Sequence, residues 1–232
     1  MGHFENSNIK PASPIVFKSG VPISVICVAS TFTGVTYANN GGKVQLVSAG
    51  VHGLTTSPAV GASVYVSWAG GTGVSGLYNV LSVDDTLKFT IDLAHAAGLG
   101  TPTVAVANTE ITVCTFSCPA LAANSLVENM VLVKGNGSAS TKIPRVRFDG
   151  NMINFFVTTT GATIRVDGYF KNINATNSQI STSNVAPQSN SSSTISPQSF
   201  ETAAPKPITV TFQNTAANDV CIIYAAIIKV TI

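Results

Sequence analysis

The chain has 232 residues, of which 45% are hydrophobic and 9% charged, with a formal net charge of +2; that allows a sizeable core but little ionic surface. Lysines and arginines are scattered, densest at Arg145 and Arg147, which argues against a phosphate-tracking basic face, and no apolar run reaches the ~20 residues of a membrane helix. A charged fraction this far below the ~25% of ordinary domains predicts a homo-oligomer that covers apolar sheet, in preference to a monomer coated in Ser, Thr and Asn.

The opening carries Pro11, Pro14 and Pro22 among polar residues, which predicts an extended anchoring arm over residues 1–22 that lies on a neighbour in an assembly and frays in a monomer. Met1 to Lys10 lacks the apolar stretch of a secretory signal, so assembly in the cytosol is expected. From 23 to 112 the signals predict a small all-β module. Ile23 to Val28 and Gly42 to Val47 read as strands, and Asn39-Asn40-Gly41-Gly42 as a turn. Val64, Val66 and Trp68 alternate with Tyr65 and Ser67. Asp84-Asp85 sits between Val80–Val83 and Leu87–Ile91 as a hairpin turn. Asp92 to Ala97 suggests a helical turn ended by Gly98 and Gly100, and Val104 to Thr115 a strand. Within this series, His52-Gly53-Leu54 and Gly76-x-Tyr78-x-Val80-x-Ser82-Val83 resemble small β modules that recur in bacteriophage virion proteins.

Residues 113–232 predict eight or so strands with turns at short intervals, the pattern of a β-sandwich or jelly roll. The runs are Met130–Lys134, Pro144–Asp149, Met152–Thr158, Thr163–Phe170, Ile208–Gln213 and Val220–Ile232. Gly135-Asn136-Gly137 marks a turn, and Asp149-Gly150 and Asp167-Gly168 read as strand-end turns. An insert over 172–207, rich in Ser, Thr, Asn, Gln and Pro with Ser191-Ser192-Ser193 at its middle, has the composition of a disordered segment. An inter-subunit contact is expected to hold it. The phrases Pro119-Ala-Leu-Ala-Ala-Asn-Ser-Leu126, Arg145-Val-Arg-Phe-Asp-Gly150 and Ile164-Arg-Val-Asp-Gly168 resemble the jelly-roll domains that end many phage fibre and decoration proteins. That resemblance implies a homotrimer with the C-terminal strand near the axis, presenting Ile222, Tyr224, Ala226 and Ile228.

Little in the chain suggests catalysis. His3, His52 and His95 show no metal-ligand spacing, and His52 reads as a turn residue. Cys114 and Cys118 would lie about 13 Å apart along one strand face, so these two, with Cys27 and Cys221, read as buried free thiols. Asp84 and Asp85 are adjacent and read as turn caps, while a carboxylate pair formed by Asp149 and Asp167 is an unfavoured alternative. No nucleophile elbow or phosphate-cradling loop occurs. No catalytic, cofactor or metal residue is therefore assigned, and no cofactor is expected. Trp68, Tyr78 and Tyr169 are the candidate glycan or partner contacts, although the alternation around Trp68 favours a core position. The triplets starting at Asn136, Asn174 and Asn190 are read as chance in the absence of a secretory signal.

The expectation is an all-β, non-enzymatic virion component: an arm, a small β-barrel or sandwich module, then a jelly roll. As a trimeric fibre or appendage at tail or head it would contact itself, other virion proteins (tail, portal-adaptor or capsid) and host-surface glycan, without nucleic acid or membrane insertion. A capsid decoration protein, or a non-viral carbohydrate-binding module or adhesin, is the alternative.

Overall fold

The computed structural model describes residues 15–17, 22–155, 157, 161–183 and 194–231. The chain is nearly all β, and one of its longest strands shows why: side chains alternate between buried and partly exposed, the period-two pattern of half-buried sheet. In the strand Leu126–Gly135 every second residue from Val127 to Val133 is buried.

Seventeen strands are found among the described residues. Eight make a sandwich of two facing sheets. One runs β2 (Ile23–Ile26), β17 (Val220–Thr231), β10 (Leu126–Gly135), β13 (Thr163–Asn172). The other runs β9 (Glu110–Cys118), β16 (Lys206–Asn214), β11 (Lys142–Phe148), β12 (Asn151–Phe155). In this order the first and last strands pair in one sheet and the second pairs with the penultimate in the other, as in a jelly roll. A hairpin of β14 (Gln179–Ser183) and β15 (Thr194–Gln198) extends the first sheet beyond β13. The space between the sheets is filled by Val127, Val131, Phe148, Phe170, Ile208, Phe212, Ile223 and Ile228, among others.

The small module lies between the first and second sandwich strands. It comprises β3 (Thr36–Asn40), β4 (Lys43–Val47), the four-residue α1 (Thr56–Ala59), β5 (Ser63–Ala69), β6 (Gly76–Val83), β7 (Lys88–Ala94) and β8 (Thr101–Val104). Its strands run β3-β4-β7-β6-β5-β8 and curl until the two ends approach each other. Val44, Leu46, Val64, Val66, Phe89 and Ile91 form its separate core. The Asn39-Asn40-Gly41-Gly42 hairpin is present. Gly41 and Gly42 have φ of 58° and 83°, the paired positive values a type I′ turn requires.

Four expectations need correction. Residues 23–26 were assigned to the small module, but β2 pairs antiparallel with β17 through four residues and touches β5 through one parallel pair, Val25 with Ser63. An apolar β-branched run announces a strand but not the sheet that takes it. In the predicted arm, β1 (Ile15–Phe17) is a strand paired with β17 of its own chain, so those three residues join the sheet; residues 1–14 and 18–21 lie outside the described residues. Asp92–Ala97 is no helical turn, because β7 continues to Ala94, which pairs with Lys43. Asp167-Gly168 lies inside β13. There glycine is needed because a Cβ would lie 2.4 Å from Nδ2 of Asn154 on the facing sheet. Asp149-Gly150, by contrast, is a turn with both φ positive. Within the predicted insert the flanks form β14 and β15, and the tract at 184–193, including Ser191 to Ser193, lies outside the described residues.

Candidate functional site

The outward face of β10 and β17 carries an apolar stripe. Met130 sits opposite Ile227 and Leu132 opposite Ala225, and a bulge after Leu132 adds Tyr224 beside them. All five are only partly buried in the single chain. At one end Glu128 pairs with Lys229 at 2.9 Å, and along the side, on β13, Arg165 pairs with Asp167 at 2.8 Å. Both ion pairs are well exposed, so they contribute little to folding and serve as a polar rim. An apolar centre with a charged rim is the anatomy of a protein–protein interface.

The residues proposed for a trimer axis divide between the two faces of β17. Ala226 and Ile228 are completely buried in the sandwich core of one chain, so their place at an axis is corrected. The bulge at Tyr224 shifts the alternation by one and turns them inward, and β10 on one side with β2 and β1 on the other make β17 an interior strand. Ile222 and Tyr224 lie on the opposite face; Ile222 packs against the small module's core, and Tyr224 joins the stripe.

The three aromatic candidates do not form one platform. Trp68 packs edge-on against Tyr37 at 5.4 Å and borders the small module's core. The backbone at Gly73 lies close over its ring, where a Cβ would come within 2.5 Å of the indole. Tyr78 borders the same core and its hydroxyl donates to the Val74 carbonyl. Tyr169 lies on β13 opposite Glu128, beside the polar rim.

A second feature joins strands far apart in the chain. On the outer side of the four-stranded sheet, Glu110 accepts a two-pronged bond from Arg147, with Nε to Oε1 at 2.6 Å and Nη2 to Oε2 at 2.7 Å. Thr211 also donates to Oε1, and Arg145 approaches Oε2 at 3.3 Å while its Nη2 donates to Gln213 at 2.7 Å. The Arg147 hydrogen bonds hold the Glu110 carboxyl below its usual range, and the same bonds raise Arg147. A carboxylate engaged by two guanidiniums is a poor proton carrier, so this network positions strands. Beside it a groove of about 380 Å³ runs between module and sandwich, lined by Tyr65, Ser67, Thr103, Ile111 and Thr112. Arg145 and Arg147 stood out in the sequence as a pair, but Glu110, 37 positions from Arg147, carried no signal.

His52 is buried between Phe32 and Phe89. Its Nδ1 accepts from Leu54 N at 2.9 Å, and its Nε2 lies 2.6 Å from the Asp85 carbonyl. Through these two contacts the ring ties two loops together. Asp85 accepts from Leu87 N at 2.7 Å and so caps its turn, whereas Asp84 accepts from the side chains of Thr90 and Gln45 and ties neighbouring strands together instead. Asp149 pairs with Lys206 at 2.7 Å and Asp167 with Arg165, so the two carboxylates have separate partners. Among the described residues no three His, Cys, Asp or Glu side chains are grouped to hold a metal ion.

No family model matches the chain, and no curated protein does. Among solved structures, a fructofuranosidase from Schwanniomyces occidentalis, complexed with fructose, aligns at 7% identity and a TM-score of 0.23. The alignment covers 91% of this chain and 60% of that one. At that score the likeness carries no argument about fold or activity.

Proposed function

We propose that the chain is a non-enzymatic structural component of a bacteriophage virion, a homotrimeric fibre or appendage protein that acts in assembly or host-surface contact. The observation that carries this reading is the stripe of Met130, Leu132, Tyr224, Ala225 and Ile227 on the outer sheet face. Together with a charged fraction of 9%, it favours a protein whose work is contact with copies of itself. The resemblance of the module and jelly-roll phrases to virion proteins supplies the location. Mass spectrometry of purified particles tests it: the chain is expected as a stoichiometric component, in a few dozen copies or fewer. Hundreds of copies would move the assignment to a capsid decoration protein. Absence from particles, with binding to immobilised glycans, would replace it with a carbohydrate-binding module.

A further inference from the structure

One buried polar cluster plays no part in the features above. Lys142, at the start of β11, is completely buried, and Asn214, the last residue of β16, is 2% exposed. The two are direct cross-strand partners. The bond from Thr215 N to the Thr141 carbonyl, 3.0 Å, makes theirs a non-hydrogen-bonded pair, the kind whose side chains stand closest. Asp219, 5% exposed, approaches the same point from the turn before β17. Its Oδ2 lies 3.5 Å from Lys142 Nζ, while its backbone carbonyl accepts from Asn214 Nδ2 at 2.6 Å. Lys142 Nζ also donates to Ser138 Oγ at 2.5 Å and to the Ser140 carbonyl at 3.0 Å. Asn214 Oδ1 and Asp219 Oδ2 are both shielded from solvent without a hydrogen bond.

As a plain ion pair this arrangement is costly. Two charges are removed from water, and an orphan amide oxygen adds the full penalty of desolvation. Its parts are those of a transamidation: an amine, a carboxamide opposite it, and, in a dry site, a carboxyl group beside the amine on a residue whose backbone carbonyl holds the carboxamide. We propose that Lys142 and Asn214 are joined by an intramolecular isopeptide bond, formed autocatalytically with Asp219 as the proton carrier. Transfer of one proton from the Lys142 ammonium to the Asp219 carboxylate converts two buried charges into neutral groups and frees the Nζ lone pair. Nζ attacks Cγ of Asn214, and the Asp219 carboxyl hydrogen-bonds to Oδ1 as charge develops there. The second Nζ proton passes through Asp219 to Nδ2. The Nζ–Cγ bond forms, the Cγ–Nδ2 bond breaks, and nitrogen leaves as ammonia. Nothing is oxidised or reduced. The product is an uncharged secondary amide that staples β11 to its neighbour β16 within one sheet.

Denaturing mass spectrometry of the full chain tests this directly. The expected mass is lower than that calculated from the sequence by one ammonia. A tryptic digest is expected to contain residues 135–145, uncut at Lys142, joined to residues 172–229, since Lys206 precedes proline. Lys142→Arg and Asp219→Ala are each expected to restore the full mass in protein that keeps its β-sheet circular dichroism. A wild-type chain that folds at full mass would overturn the proposal. So would an ammonia loss that fragmentation places as a succinimide at Asn40-Gly41 or Asn136-Gly137. Retention of the cross-linked peptide in Asp219→Ala would overturn the role given to Asp219.

Discussion

Phe148→Ala probes the sandwich at its centre. Phe148, on β11, is completely buried, edge-on to Phe170 of β13 at 4.9 Å and stacked on Phe200 at 5.4 Å. It therefore bridges the two sheets. A buried phenylalanine removes on the order of 150–200 Å² from water, and at about 25 cal/mol per Å² this is roughly 4–5 kcal/mol. Truncation keeps the Cβ but leaves a cavity, which brings the expected loss to about 3–5 kcal/mol. Set against a total of about 5–15 kcal/mol for a folded domain, that is a large fraction. Urea unfolding followed by far-ultraviolet circular dichroism measures it, with the midpoint falling and the slope unchanged. Phe148→Leu is expected to cost under about 1.5 kcal/mol. A loss below about 1 kcal/mol for the alanine variant would refute the placement of the core.

Three further outcomes are expected. Glu110 has its folded carboxyl held below the ordinary 4.5, so its contribution is complete above that value and lost as pH falls through the depressed one. Glu110→Gln should therefore lower stability at neutral pH by about 1–2 kcal/mol, the partial exposure of the site being allowed for, and flatten the acid limb of stability against pH. Gly168→Ala would force a Cβ to within 2.4 Å of Asn154 and disturb its 2.8 Å bond to Asn129, costing roughly 1–3 kcal/mol in the same unfolding assay. Burial pushes the thiol of Cys27 up to about 12 and those of Cys114 and Cys118 to about 11, and also raises Cys221. A thiol-specific chromogenic reagent should accordingly find no reactive cysteine until denaturant is added.

The features legible in the sequence were local ones. Asn39-Asn40-Gly41-Gly42 announces a hairpin because only residues tolerant of positive φ suit that turn, and the apolar run at Met130–Lys134 predicts a strand that the structure extends back to Leu126. What was not legible depends on partners distant in the chain. Nothing in Ile23–Ile26 says that it pairs with β17 at the far end of the chain, so the strand's place between sandwich and module was not legible. Asp167-Gly168 has the same dipeptide as the true turn at Asp149-Gly150, and only the approach of Asn154 explains its glycine. The Glu110 network and the Lys142–Asn214–Asp219 cluster arise from strands the sandwich brings together, so spacing gives no hint of either. At the proposed axis, a bulge at Tyr224 breaks the alternation along β17, so Ala226 and Ile228 lie inside the chain and Tyr224 outside, a shift no local pattern announces.

Self-association through the outer face of β10 and β17 is the central claim, and sedimentation equilibrium of the purified chain tests it most directly. The wild-type protein should sediment as a trimer, and Leu132→Glu combined with Ile227→Glu should sediment as a folded monomer. A wild-type chain that remains monomeric at high concentration, or a double variant that still forms trimers, would contradict it.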